Sequence, residues 1–148
     1  MRNTIFFILL SSVLNLGADS LKVLTYNIQG MKPGTSPELR IIHIIDKIIQ
    51  LDPDIIGLQE INESLSGDGT DNQAKVIADS LSAYFGINYN YYYEFTHLSW
   101  NNNFREFVGI ITKYNVEEEG FFQLVQGTFP RKVIWNKINT PIGTVNFF

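Results

Sequence analysis

The chain has no cysteine and no excess of positive charge. Without cysteine, disulfide bonds, thiolate metal sites and a cysteine nucleophile are all excluded. Eleven Lys and Arg against fifteen Asp and Glu give a formal charge of -4, so a broad cationic surface for nucleic acid is absent. That charge does not exclude a phosphodiester substrate, because a bound divalent cation can supply the local positive charge that the protein lacks.

What the chain does contain is typical of one compact domain. It has 148 residues, of which 45% are hydrophobic and 18% charged. The eleven Phe and seven Tyr supply core volume, and together with frequent Ile and Val they favour a strand-rich fold.

The N-terminal segment MRNTIFFILLSSVLNLGADS has one cation, then an apolar run, then small residues. This layout predicts a secretory signal peptide over residues 1–18, with residues 19–148 as the domain and a secreted or periplasmic location. The apolar run is shorter than the ~20 residues that span a bilayer, so no transmembrane span is predicted. The alternative is that the segment is a buried strand or helix.

Hydrophobic periodicity predicts a β-α-β unit after this segment. The run LKVLTYNIQG, residues 21–30, predicts a strand. Apolar residues then repeat at helical spacing from Leu39 to Leu51, with Ser36 as N-cap and Pro37 at the first helical position. The mostly apolar run DIIGLQE predicts a second strand, ending on Glu60 and parallel to the first.

The second half of the chain has a different pattern. A polar loop, NESLSGDGTDN, precedes a second helical pattern from about Gln73 to Phe85. Five short strand-like runs follow, separated by turns: NYNYYYEF, FVGIITK, GFFQLVQ, RKVIWNKI and IGTVNFF. They predict an antiparallel meander.

Two polar side chains, Asn27 and Glu60, stand where the parallel strands are predicted to end. Ligands of α/β sheets bind outside the carboxyl ends of such strands, so we expect these side chains to meet at one rim. A carboxylate and an amide oxygen suit a hard cation such as Mg²⁺. The alternative is that both side chains merely cap loops.

The stretches LKVLTYNIQG, DPDIIGLQEI, REFVGIITKYNV and RKVIWNKI, in this order, resemble the N-terminal half of the endonuclease/exonuclease/phosphatase superfamily. That group includes deoxyribonuclease I, enzymes of the exonuclease III type and neutral sphingomyelinases. The resemblance runs from about Leu21 to Phe148. It implies an α/β fold, the N-terminal part of a four-layer α/β/β/α sandwich, with a mixed sheet whose second-half strands are antiparallel and which is incomplete in this chain.

The resemblance also implies a metal-dependent phosphoester hydrolase, a phosphodiesterase, nuclease or phosphatase. Glu60 would hold the catalytic Mg²⁺, or Mn²⁺ or Ca²⁺ in its place, and Asn27 would help to position the metal or the phosphate. The substrate would be nucleic acid or a phospholipid or sphingomyelin head group. The oligomeric state stays open.

Two further residues match the family less closely. Glu106 matches a position whose carboxylate orients a histidine in deoxyribonuclease-like members. However, Phe107-Val108-Gly109 follows it where the family usually has Gly-x-Ala, and a surface acid paired with Arg105 or Lys113 is the alternative. Arg131 matches a frequent family arginine, with a solvated arginine at the start of a strand as the alternative.

Neither histidine of the chain matches a catalytic histidine of the family. His43 lies within the first predicted helix, and His97 lies in a stretch predicted to be loop-like. The later family motifs, an Asn-Thr-His-Leu type motif, an Asp-x-Asn segment and an Asp-His pair, do not occur before Phe148. We therefore expect the 148-residue chain alone to be inactive or nearly so, and to have low solubility because one sheet face would be uncovered.

A secreted, non-catalytic binding module is the alternative function. In that interpretation Asn27 and Glu60 cap strands, and the run NYNYYYEF provides an aromatic contact surface for sugar or protein. Alternation along a strand would turn half of these tyrosines toward the core.

Overall fold

A computed structural model describes residues 20–31, 36–65, 71–125 and 127–148. The predicted signal peptide, residues 1–18, lies outside the described residues. The described elements are β1 (Val23–Asn27), α1 (Pro37–Leu51), β2 (Ile55–Ser64), α2 (Gln73–Phe85), β3 (Asn90–Ser99), β4 (Phe104–Thr112), β5 (Asn115–Gln123), β6 (Lys132–Thr140) and β7 (Gly143–Phe147). Neither of these two helices is long and apolar enough to cross a membrane.

The strands form two sheets. The first, sheet A, has the order β1-β2-β4-β3, with β1 parallel to β2 and the other pairs antiparallel. The second, sheet B, has the order β5-β6-β7 and is antiparallel throughout. The predicted β-α-β unit, the mixed sheet and the antiparallel second half are therefore confirmed.

Local signals set the ends of both helices. Helix α1 begins at Pro37, and Asp52 ends it in the left-handed conformation with φ 45°. Ser36 is the N-cap, but its side chain makes no capping hydrogen bond. At α2 the Asn72 side chain accepts a hydrogen bond from the backbone N–H of Ala74 at 3.0 Å, which satisfies one of the free donors of the first turn.

The sheets and helices stack in three layers around two apolar clusters. Between the helices and sheet A lie buried side chains of both helices and of the two strands β2 and β4; they include Ile44, Ile48, Ile56, Leu58, Ile61, Ile77, Leu81 and Phe107. Between sheet A and sheet B lie Ile55, Ile110, Ile134 and Ile138. Sheet A is thus covered on both faces, which explains why β2 reads as an almost continuous apolar run. The second helix layer of a four-layer sandwich is not among the described residues.

Strand β2 does not end at Glu60, contrary to the sequence-based prediction. It continues to Ser64, and the pairing with β4 shifts between Leu58 and Ile61, so that two residues of β2 face one residue of β4. This is a β-bulge, and Glu60 within it has φ 54°. The extra residue lets Leu58 and Ile61, three positions apart, both pack on the helix side of the sheet.

Candidate functional site

The structure brings Asn27 and Glu60 together at one edge of sheet A. Asn27 is the last residue of β1, and its side-chain Nδ2 donates a hydrogen bond to Glu60 Oε1 at 2.7 Å. The Asn27 Oδ1 atom accepts from the backbone N–H of Gln29 at 3.0 Å. In this arrangement Asn27 orients the carboxylate, and its amide would have to rotate before its oxygen could face a cation shared with Glu60.

Arg40 of α1 braces the loop that follows β1. Its guanidinium donates hydrogen bonds to the backbone oxygens of Ile28, Gln29 and Gly30. Because this loop begins at Asn27, the helix fixes the direction from which the Asn27 amide reaches β2. Arg40 was not predicted, because its position on the first turn of an amphipathic helix carries no local signal for this contact.

Glu60 lines a cleft of about 430 Å³ together with three other residues that carry ionisable side chains. These are His97 on β3, Glu106 on β4 and Arg131, which immediately precedes β6. Ser99, Phe129 and the turn at Trp100–Asn102 complete the walls. The cleft therefore collects Glu60, Glu106 and Arg131, which the sequence had singled out, along with His97.

The carboxyl of Glu106 is buried, with 8% of the residue exposed. Burial raises its pKa above the ordinary value of 4.5, and the negative charge of Glu60 adds to the rise. His97, Arg131 and a hydrogen bond from the Ser99 side chain act in the opposite direction without outweighing the burial. The alternative of a surface acid is wrong for Glu106, because the side chain faces the cleft and Arg105 pairs with Glu63 instead.

His97 lies within β3 and not in a loop, which corrects the sequence-based prediction. Its Nε2 is 3.6 Å from Glu106 Oε1, and its ring stacks on Phe129 with the ring centroids 4.9 Å apart. A signal for this contact was present in the sequence. A hairpin turn centred on the consecutive asparagines 101–103 sets a register in which His97 pairs with Glu106 across the two strands. His43, in contrast, is exposed on α1.

Asn62 joins the separate walls of the site. Its fully buried side chain accepts hydrogen bonds from the backbone N–H of Met31 at 2.7 Å and from the indole of Trp100 at 3.1 Å, and it donates to Ser99 Oγ at 3.2 Å. A Cβ added at Gly30 would lie 2.1 Å from Asn62 Oδ1, so that close approach requires glycine. Asn62 was not predicted, because its partners come from segments about 30 and 40 residues away.

The donor set at Glu60 fits a hard divalent cation. Among the described residues no three His, Asp or Glu side chains are grouped as a metal cluster. Mg²⁺, however, is usually bound through one or two carboxylates and completes its shell with waters and substrate phosphate oxygens. The half-buried carboxylate of Glu60, fixed on one side by Asn27, meets that requirement.

The tyrosine-rich run gives little surface for a binding module. Tyr89 is buried, and Tyr93 packs edge-on against Phe107 with ring centroids 5.3 Å apart. Tyr91 is 39% exposed and its ring stacks on that of Tyr93. A larger cleft of about 600 Å³ lies beside this run and the acidic segment Glu117–Glu119, away from the residues with the chemistry described above.

Comparison with known protein families gives a match over residues 24–148 to the model described as "Endonuclease/Exonuclease/phosphatase family". That range contains every residue of the cleft. A comparison with curated protein sequences found no match.

Among the solved structures with a similar fold, two carry the same family description and one is of TDP2. An endonuclease/exonuclease/phosphatase family protein from Leptotrichia buccalis is 22% identical, with a TM-score of 0.72 over 86% of this chain and 53% of that one. An endonuclease/exonuclease/phosphatase from Beutenbergia cavernae is 18% identical, with a TM-score of 0.67 over 85% and 36%. TDP2 from Caenorhabditis elegans is 17% identical, with a TM-score of 0.57 over 85% and 33%. The chain thus spans about half of the first structure and a third of the others.

Proposed function

The chain belongs to the endonuclease/exonuclease/phosphatase family, a family of nuclease- and phosphatase-type hydrolases, and from that premise we propose that it is a metal-dependent phosphoester hydrolase. The observation that carries the proposal is the Asn27–Glu60 contact at the edge of a cleft that also contains Glu106, His97 and Arg131. Carboxylates that can bind a cation and a guanidinium that can bind an anion face the same space.

Each of these residues would have a separate task. Glu60 would hold the cation, Mg²⁺ as the first candidate and Mn²⁺ or Ca²⁺ in its place, and Asn27 would fix the direction of the carboxylate. A bound divalent cation supplies charge stabilisation for phosphate oxygens and lowers the pKa of a bound water. Arg131 would bind a phosphate oxygen, as guanidinium groups do in a forked geometry. Glu106 would orient His97.

The proposed substrate is a phosphoester of nucleic acid or of a phospholipid or sphingomyelin head group. The formal charge of -4 supports a site that depends on its bound cation for attraction of the phosphate, and not on a basic surface. The layout of residues 1–18 supports a proposed secreted or periplasmic location.

Metal binding and turnover test the proposal in parallel. Titration of the purified chain with Mg²⁺, followed by calorimetry, should show one site that Glu60→Gln removes. The same substitution at the exposed Glu118 of β5 is the matched control and should leave Mg²⁺ binding unchanged. Any Mg²⁺-dependent hydrolysis of bis(nitrophenyl) phosphate that the chain shows should disappear with Glu60→Gln and persist with Glu118→Gln.

Two results would contradict the proposal: Mg²⁺ binding that survives in Glu60→Gln, and turnover that is the same with and without a divalent cation. The assay also tests the expectation, drawn from the sequence, that the 148-residue chain is inactive or nearly so. That expectation stays a prediction.

A further inference from the structure

The larger cleft, of about 600 Å³, opens where the edges of the two sheets meet. In the described chain β3 is at the edge of sheet A and β5 at the edge of sheet B, and residues of β3, β4, β5 and β6 line the cleft. Its volume is typical of a small-molecule site. No Lys or Arg is among its described lining residues, so the cleft is unsuited to phosphate or another anion.

Asn136 is a buried polar residue in an otherwise apolar row of this region. On β6 it lies between Ile134 and Ile138, which belong to the apolar cluster between the sheets, and it is 1% exposed. Asn136 lines the cleft, and its side-chain nitrogen has no hydrogen-bond partner among the described residues. A buried donor without a partner destabilises a fold, so packing alone does not explain an asparagine here.

Glu119 lies directly across the β5–β6 ladder from Asn136. Opposite residues of an antiparallel pair project to the same face, so the carboxylate and the amide are neighbours. Glu119 is exposed, and no cation of the described chain pairs with it, whereas Lys137 pairs with Glu117 at 3.3 Å and with Glu118 at 2.8 Å. An uncompensated negative charge therefore stands beside the unpartnered amide.

The opposite wall of the cleft does not satisfy these two groups. The Tyr92 hydroxyl on β3 donates to Glu94 at 2.9 Å, and the Asn90 side chain donates to the backbone oxygen of Tyr114 at 2.8 Å. Burial raises the pKa of Tyr92, and its hydrogen bond to Glu94 and the charges of Glu94 and Glu119 add to the rise. The phenol thus stays uncharged, with its proton already in use.

We propose that this cleft binds an organic ammonium that also carries hydroxyl groups, the chemistry of an amino sugar. The ammonium would donate hydrogen bonds to Glu119 and neutralise its charge, and a hydroxyl oxygen would accept from the Asn136 amide. A neutral sugar would leave the carboxylate uncompensated, and a simple diamine would leave the amide donor without an acceptor. The site is separate from the cleft at Glu60 and does not depend on the proposed hydrolase function.

Binding of glucosamine to the purified chain, without divalent cations, tests the ligand class. In nitrogen–proton NMR spectra the side-chain amide of Asn136 should shift in a saturable way, with a dissociation constant on the order of 1 mM. Glucose, which lacks the ammonium, and putrescine, which lacks hydroxyl groups, should each bind at least about tenfold more weakly.

Three results would overturn the ligand class. Glucose that binds as tightly as glucosamine would show that the ammonium has no role, and putrescine that does so would show that the hydroxyl groups have none. An Asn136 signal that responds to Ca²⁺ and not to glucosamine would indicate a metal site instead.

Ligand-detected NMR compares variants of the two proposed contacts. Asn136→Leu and Glu119→Gln should each weaken glucosamine binding at least about tenfold. The matched controls are Asn146→Leu on β7 and Glu38→Gln on α1, which change exposed residues outside the cleft and should bind like wild type. A Glu119→Gln protein that keeps wild-type affinity would contradict the proposal.

Thermal melting without ligand separates a ligand contact from a structural role of Asn136. Because leucine has a similar shape and no unsatisfied donor, Asn136→Leu should melt about 3 °C above wild type while it loses binding. A lower melting temperature would show that the amide has a partner within the fold and would overturn its assignment to a ligand. If Asn136→Leu does not fold, Glu119→Gln still decides, because that side chain is exposed.

Discussion

Two carboxylates lie six positions apart around β2, and the structure treats them differently. Asp54, just before the strand, is 7% exposed and accepts hydrogen bonds from the Lys22 backbone N–H at 2.7 Å and the Tyr114 hydroxyl at 3.0 Å. Lys113 forms an ion pair with it at 2.9 Å. Glu60, within the strand, is half-buried at the wall of a cleft and is held by the side-chain amide of Asn27.

The difference separates a structural charge from one suited to bind a ligand. Burial alone would raise the pKa of Asp54, but its hydrogen bonds and the Lys113 charge outweigh burial and lower that pKa. At the cleft, burial prevails and the pKa of Glu106 is raised. A saturated carboxylate fastens β1, β2 and the β4–β5 turn together, whereas the cleft keeps acidic groups for which a cation or a proton is the natural partner.

Removal of the Asp54 carboxylate should have the largest effect on the free energy of unfolding. Asp54→Ala leaves Lys113 and the Tyr114 hydroxyl without their main partner in a nearly buried place, and should lower the free energy of unfolding by about 3 kcal/mol. Urea denaturation measures it. Glu60→Ala should lower the free energy of unfolding by less than about 1 kcal/mol in the same experiment. Equal losses in the two variants would show that Asp54 and Glu60 contribute alike to stability.

Acid should change the stability contributions of Asp54 and of the cleft residue Glu106 in opposite directions. The lowered pKa of Asp54 contributes stability that is present above about pH 3.8 and is lost as pH falls through the folded-state value. The raised pKa of Glu106 contributes stability below about pH 4.5 that is lost as pH rises through its folded-state value.

Unfolding free energy against pH, in metal-free buffer, separates the two contributions. Asp54→Asn should flatten the curve below about pH 3.8, and Glu106→Gln should flatten it above about pH 4.5. A Glu106→Gln curve that keeps the wild-type slope above that value would contradict the assignment.

Added Mg²⁺ should stabilise the chain through the cleft only. At a concentration about five times the dissociation constant, ligand binding raises the free energy of unfolding by about 1 kcal/mol. Thermal melting should show this gain in the wild type and in Glu118→Gln, and not in Glu60→Gln. A gain that persists in Glu60→Gln would place the cation elsewhere.

The smallest effect is expected at Lys22. The contact between Lys22 and Asp54 uses the backbone N–H, while the Lys22 side chain is largely exposed and lies 3.9 Å from Asp52. Lys22→Ala should therefore change the free energy of unfolding by less than about 0.5 kcal/mol. A loss comparable to that of Asp54→Ala would mean that the exposed charge matters and that the backbone bond does not carry the contact.

The sequence could predict elements whose causes are local. Pro37 at the helix start, the apolar spacing along α1 and the alternation of the later strands all act within a few residues, and the structure confirms both helices and all seven strands. The meeting of Asn27 with Glu60 was also predicted, although β2 continues beyond Glu60: the parallel pairing of β1 with β2 ends at Asn27 and Gln59, next to Glu60.

What the sequence could not predict depends on pairing between strands. The bulges at Glu60 and Thr96 exist only relative to β4, so no local pattern in β2 or β3 marks them. The second bulge changes the pairing only before His97, whereas the pairing of His97 with Glu106 follows from the hairpin turn. The donors to Asp54 come from residues 32 and 60 positions away, so no local pattern could indicate this polar network.

The left-handed backbone at Glu60 has a consequence for protein engineering. A non-glycine residue at φ 54° costs about 1–2 kcal/mol, so a chain optimised for folding alone would carry glycine there. Leu58 and Ile61 keep their places in the core whatever side chain stands between them, since the bulge and not the side chain sets the register. A substitution at position 60 should therefore change the chemistry of the cleft without changing the register of the sheet.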